Sequence, residues 1–399
     1  TCNWHNWKFD LDSGETLVGG DLLRRYPVRI AGDDVLLDAT DPPPAERAAA
    51  ALAGLRRACE RHETDRMARE VGRLAQIGAD PLDAVRETLR WTHDRFEFGA
   101  THAHAAAPDW LARGALAGGL SYAEIEPDLA RAALAHYQDF GHSAIYVLKT
   151  GELIARLGQG VAEPLLLALV RSLVYARRED LIPEFRAYGP ALARWDGSGD
   201  RPPNAADFRR LSVTKALDRA LASSADIPGL YAALLEATAW QMLNFDLDRQ
   251  DRTAQPVSQN VSWLDFTHGL TFANAVRELC THTPALWPAG LLQMACFLGR
   301  NAGFVDAGQD VSAWAVDDAP AFLAAAEARL FDHGQPEYIV SAHLVKVAAA
   351  ARSELAAAPN APWAPTLLAA VRRFLESPLK RRHALRTARQ ALDFTALEG

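Results

Sequence analysis

Cysteine is scarce in this chain, with four residues scattered along 399. So few, so far apart, cannot form a disulfide framework, which fits a reducing cytoplasm. Long apolar runs are missing as well. No stretch approaches the roughly twenty apolar residues that a membrane-spanning helix needs, so no span is expected. Basic charge falls short of acidic charge, 42 lysines and arginines against 50 aspartates and glutamates, for a net −8. That deficit argues against a nucleic-acid or membrane-surface partner. Several catalytic signatures are absent too: there is no G-x-S-x-G nucleophile elbow, no G-x-x-x-x-G-K-[ST] phosphate loop, and no repeated E-x-x-H pair of the kind a di-iron bundle uses. What is left is a soluble acidic enzyme with ample apolar content, 49%, for a large core.

The alternation of apolar and polar residues that marks strands is confined to the first forty positions. There Arg25–Ile30 and Asp34–Asp38 read as a hairpin-like pair. Asp41-Pro42-Pro43-Pro44 then breaks the pattern, because three prolines cannot continue a strand ladder and favour an extended spacer. Beyond them Ala45–Leu74 is rich in Ala, Leu, Arg and Glu at helical spacing. Further helices are predicted over Pro81–Phe98, Asp128–His136, His142–Leu157, Pro164–Ala176, Ala205–Ala222, Ile227–Leu243, Trp263–His282, Ala289–Gly299, Pro320–His333, Tyr338–Ala357 and Pro365–Ser377. Proline or glycine stands between many of them, as at helix ends. The expected fold is therefore mainly α, with a small β segment at residues 1–40 and a large all-α domain over 45–399.

Two groups of residues carry candidate chemistry. The first is Thr1-Cys2-Asn3-Trp4-His5-Asn6-Trp7-Lys8-Phe9-Asp10-Leu11, followed by a turn at Ser13-Gly14-Glu15 and the hairpin-like pair. It resembles the second half of a Rieske domain, in which a C-x-H pair and a later C-x2-H pair hold a [2Fe–2S] cluster. The resemblance implies Cys2 and His5 as cluster ligands, although Asn3 and Asn6 stand where the family usually has proline and glycine. Because the chain opens on Thr1, the first ligand pair is expected to precede the sequence given, and Cys2 with His5 cannot close a cluster alone. Cys59–His62 and Cys280–His282 have similar spacings but fall in helical sequence, where a helix-surface reading is favoured over Rieske ligation.

The second group lies in the helical part. Asp139-Phe140-Gly141-His142 and Asp265-Phe266-Thr267-His268 share a D-F-x-H pattern, each opening an apolar helix, and Ser341-Ala342-His343-Leu344-Val345-Lys346 is a third such element. Imidazoles on apolar helix faces suit a metal site inside a bundle, and His343 and Lys346 share one face. His268-Gly269-Leu270-Thr271-Phe272-Ala273-Asn274-Ala275-Val276-Arg277 and His343-x-x-Lys346 are similar to elements of the questin oxidase-like proteins, with His142 a looser match. That resemblance implies a non-haem iron oxygenase with His142, His268, His343 and a carbamylated Lys346 on iron. A middle histidine element of the family has no counterpart at Glu163-Pro164-Leu165-Leu166-Leu167. A fourth nitrogen would have to come from His136, His93, His102 or His104. The run Arg171–Leu181 at that gap carries arginines that would suit clamping an acidic substrate, but a solvated helix end with salt-bridged charges is the favoured reading.

Taken together, these readings predict a Rieske oxygenase. Electrons from a reductase or ferredoxin would pass through the [2Fe–2S] cluster to a mononuclear iron, which reacts with dioxygen and an aromatic or quinonoid substrate. Trp263, Phe266, Phe272 and Trp287 are the expected lining of its pocket. The competing expectation is a Rieske-type electron-transfer protein whose helical domain is a metal-free docking module. A Rieske ring-hydroxylase with a two-histidine, one-carboxylate site is disfavoured, since neither D-F-x-H element has the second histidine at the required spacing.

Overall fold

The computed structural model describes residues 8–10, 12–14, 16–18, 24–61, 63–80, 83–84, 87–88, 91, 112, 114–252, 254–330, 338–377 and 384–397. Helix dominates the described residues, and the strands all lie in the first forty, so the protein is mainly α with a small N-terminal β segment. β1 (Lys8–Phe9) pairs antiparallel with β2 (Thr16–Val18), and β3 (Val28–Ala31) with β4 (Asp34–Leu37). The second pair is a tight hairpin in the register Val28↔Leu37 and Ile30↔Val35. Its turn runs through Gly32-Asp33, with Gly32 at φ +66°, a conformation glycine adopts without steric cost.

The chain divides into two compact units, Thr1–Leu111 and Ala112–Gly399. The change from strand to helix does fall at the prolines, since α1 (Pro44–Glu60) begins on the last of them. The compact-unit boundary comes later, so α1 and α2 (Thr64–Gln76) belong with the strands. A single helix over Ala45–Leu74 is not what forms. Two helices form, α1 and α2, and they bury Ala51, Leu55 and Leu74 against each other. One straight helix would leave that apolar stripe in water, whereas a hairpin of two covers it. The predicted helix Pro81–Phe98 lies mostly outside the described residues.

The second unit is built from α3 (Tyr122–Leu134), α4 (His142–Leu157), α5 (Ala162–Tyr175), α6 (Tyr188–Ala193), α7 (Ala205–Phe208), α8 (Val213–Leu221), α9 (Ile227–Leu243) and α10 (Leu247–Asp251). It continues with α11 (Trp263–His282), α12 (Trp287–Asn301), α13 (Ala319–Leu330), α14 (Tyr338–Ala357), α15 (Ala364–Glu376) and α16 (Ala384–Leu397). Four of these, α4, α9, α11 and α14, have the bounds that periodicity predicts. α3 starts earlier than the predicted Asp128–His136 because Ser121 and Glu124 form a capping box, satisfying two orphan backbone donors there. The predicted Ala205–Ala222 is broken into α7 and α8, with Asn204 and Ser212 at the N-cap positions. Arg219 staples the break by bonding Asp207 and the Pro202 carbonyl. Propensity did not disclose α16.

α11 is the centre of this unit. Ser262 and Asp265 cap its start reciprocally, and its residues are buried almost all round, from Trp263 through Cys280. A helix apolar on every side has no solvent face and must be enclosed. α4, α9, α12 and α14 enclose it. α4 and α14 therefore both present side chains to α11.

Candidate metal centre

Those two contacts bring together the histidines that the sequence singled out. His142 opens α4, while His268 and His343 stand in the second turns of α11 and α14. The His142 and His268 rings are 4.3 Å apart at their centroids, and the His268 and His343 rings 4.7 Å, each pair edge-on. One nitrogen from each ring lies within 4.8 Å of the others. Nitrogens about 2.0–2.1 Å from one ion are about 3 Å apart across a right angle and about 4.2 Å when opposite. Small side-chain rotations therefore close this set on a single ion.

Backbone carbonyls fix how two of the rings face. His142 Nδ1 is 2.7 Å from the Asp139 carbonyl oxygen, and His343 Nδ1 is 2.6 Å from that of Ile339. A carbonyl only accepts, so each Nδ1 carries the proton and each Nε2 is left with a lone pair. This is the outer-shell arrangement that orients metal-binding histidines. His343 Nε2 is in turn 2.8 Å from His268 Nε2. Two nitrogens so close either share one proton or face one cation.

Charge is kept off the cluster. Burial pushes His142 below the ordinary imidazole range, against a partial counter-effect from the Asp139 carbonyl. Burial holds His343 down to about 4. His268 falls well below its ordinary value, first through burial and then through its imidazole neighbours and Lys346. All three are neutral at neutral pH, the form that binds metal. Lys346 Nζ lies 3.4 Å from His343 Nε2, and burial lowers the ammonium to about 8. A substantial neutral amine fraction is therefore accessible at mildly alkaline pH. A set of neutral nitrogen donors with an adjoining amine suits a first-row metal such as iron, zinc or copper.

The approach to His142 is strained. Asp139 and Phe140 have φ of +50° and +46°, and Gly141 follows at +73°. Glycine is required at the third position, since a Cβ there would sit 2.5 Å from the Phe272 ring. The two non-glycine residues cost on the order of 1–3 kcal/mol each. The turn is held by Asp139 N–H on the Arg177 carbonyl (2.9 Å), Gly141 N–H on Gln138 (3.0 Å) and Phe140 N–H on the Glu179 carboxylate (3.3 Å). Sequence reading did not single out Glu179 for the site. It is buried, and burial pushes its carboxyl up to about 7. Its neighbour Arg178, by contrast, is half-exposed and pairs with Asp180, as the reading of a solvated, salt-bridged end implies.

Other sequence-predicted residues fall elsewhere. Cys2, His5, His93, His102 and His104 lie outside the described residues. His136 is bonded to Asp180 (3.1 Å) and does not join the imidazole cluster found among the described residues. Cys59 is in α1, and His62 is outside the described residues. Cys280 and His282 sit in α11, but Cys280 is buried rather than on the surface, its thiol pushed up to about 12, and His282 bonds Glu126. Trp263 and Phe266 are core residues stacked on Phe245, not a pocket wall. Trp287 packs on Tyr231. Of the four aromatics expected to line a pocket, Phe272 lies nearest the site, packed beneath Gly141 and one turn beyond His268. No family model, curated protein or solved structure matches the chain.

Proposed function

We propose that the helical unit is a mononuclear non-haem iron oxygenase whose metal is held by His142, His268 and His343, with Lys346 as a fourth group. One observation carries this reading: three neutral imidazoles from separate helices meet with their nitrogens within 4.8 Å, at positions the resemblance to questin oxidase-like proteins singles out. His268 and His343 are buried and His142 half-buried, and a ring nitrogen so placed without a partner forfeits a hydrogen bond to water, a loss that a bound cation offsets. The Asp139 and Ile339 carbonyls hold the His142 and His343 rings in the tautomer that presents Nε2.

Bound iron would supply one-electron chemistry toward dioxygen, and the protein would supply position. The fully buried Phe272 ring seals the inner side of the His142 turn, and the His268 ring is walled in between the other two. Lys346, when neutral, can add through Nζ to the carbon of carbon dioxide and release a proton to solvent, giving a carbamate whose oxygens are metal donors beside His343. The substrate class proposed is aromatic or quinonoid. The proposed electron route is a reductase or ferredoxin and a [2Fe–2S] cluster to which Cys2 and His5 contribute.

The test is metal stoichiometry and dioxygen uptake on the full chain loaded anaerobically with ferrous iron. One tightly held iron attributable to the histidines, with uptake that disappears in His268→Ala, supports the oxygenase. Iron confined to a cluster, with no dioxygen consumed, supports the electron-carrier alternative.

A further inference from the structure

Among the described residues, no basic side chain pairs with Glu179 to explain its burial. It is 4% exposed, yet backbone groups, not a basic side chain, hold its carboxylate among the described residues. Phe140 N–H lies 3.3 Å from Oε2, and the backbone of Asp139 and Glu179 also faces it. Phe140 is the middle residue of the left-handed turn, where a phenylalanine has no intrinsic reason to stay. Phe140 itself is 37% exposed, so side-chain packing alone does not pin it. An acceptor buried beneath its N–H does.

The turn in turn aims a carbonyl. Asp139, at φ +50°, points its oxygen at His142 Nδ1, 2.7 Å away. Were residues 139–140 to relax to negative φ, that peptide would rotate and the ring would lose the partner that sets its tautomer and angle. We infer that Glu179 is a positioning residue for the His142 corner of the site, acting through the Asp139–Gly141 turn. This rests on the metal reading above. Its effect is of the size known for outer-shell groups, about 10–100-fold in metal affinity. Burying a carboxylate without a cation costs stability, and a residue kept at such a cost belongs where strain serves a site.

Cobalt(II) titration of the full chain, followed by absorption, with ring-nitrogen NMR on His142, provides the test. Glu179→Ala is expected to weaken cobalt binding about 10–100-fold and to shift the His142 Nδ1 signal while helical circular dichroism is unchanged. Glu179→Gln, whose amide oxygen can still accept from Phe140, should stay within a few-fold of wild type. Adding Phe140→Gly to Glu179→Ala should recover affinity, because glycine holds positive φ without help; a merely structural role would not be rescued there. Should Glu179→Ala fail to fold, Glu179→Asp, one methylene too short to reach the turn, carries the same comparison with the same expected loss. Wild-type affinity in the alanine or aspartate variant, or no recovery with Phe140→Gly, overturns the inference. If wild type itself binds no cobalt, the metal reading fails instead.

Discussion

His268, His343 and Lys346 show how burial prepares residues for binding. His343, held down to about 4, binds no proton in the folded state at pH values where an unfolded histidine, at about 6.5, does. The unfolded chain therefore takes up more protons below about pH 6.5, and folding stability falls as the pH drops from there toward 4. For this one residue the loss amounts to at most about 3 kcal/mol. Glu179 has the opposite sign. Raised to about 7, it stays protonated in the fold where the unfolded acid has ionised, so stability falls as pH rises from about 4.5 to 7. The two windows overlap between about pH 4.5 and 6.5 and their slopes oppose there, so urea denaturation of the metal-free protein should show nearly flat stability across that range, and Glu179→Gln should uncover the fall on acidification that His343 causes. Metal should be retained on acidification to well below pH 6, which dialysis and elemental analysis would read.

Lys346→Arg keeps a long cationic stem but removes the amine that can form a carbamate. Bound iron should drop in that variant without loss of helical signal, and unchanged iron with unchanged dioxygen uptake would remove Lys346 from the site.

Between helices, the alignment of α11 with α14 depends on a buried carboxylate far from the histidines. Glu354, 1% exposed, accepts from Tyr231 (2.9 Å), Asn274 (2.8 Å) and Arg277 (2.9 Å), tying α14 to α9 and α11. Glu354→Ala leaves the largely buried Arg277 without this counter-charge and should cost about 3–5 kcal/mol in urea denaturation. Metal affinity should fall with it, because His268 and His343 ride on the two helices so joined. Gly141→Ala tests the α4 side: a methyl group 2.5 Å from the Phe272 ring, at positive φ, should both destabilise the fold and displace His142. A variant with full metal affinity would show that the turn does not place the ring.

Over the molecule, every residue of the imidazole site, its carbonyl partners, Glu179 and Glu354 fall within Ala112–Gly399. That unit expressed alone should fold by circular dichroism and bind one metal with the affinity of the full chain. Loss of binding on excision would place part of the site outside it.

The mainly α architecture, the β segment before Asp41 and the bounds of α4, α9, α11 and α14 were readable from the chain, because period and capping are local properties. So were the three histidines, since an imidazole on an apolar helix face stands out against its neighbours. Their convergence was expected from the resemblance and not from period or spacing, and the fold achieves it by enclosing α11 between α4 and α14, a matter of how apolar surfaces pack at long range. The aromatics beside them misled for the same reason, as Trp263 and Phe266 met Phe245 instead of a cavity. Asp139-Phe140-Gly141 hinted at a turn through its aspartate and glycine, but its left-handed form is imposed from outside by Arg177, Gln138 and Glu179. Glu179 looked like a solvated charge in a polar run. Its burial follows from the fold around it, since a neighbouring arginine in sequence is no guide to which backbone N–H a carboxylate will meet in space.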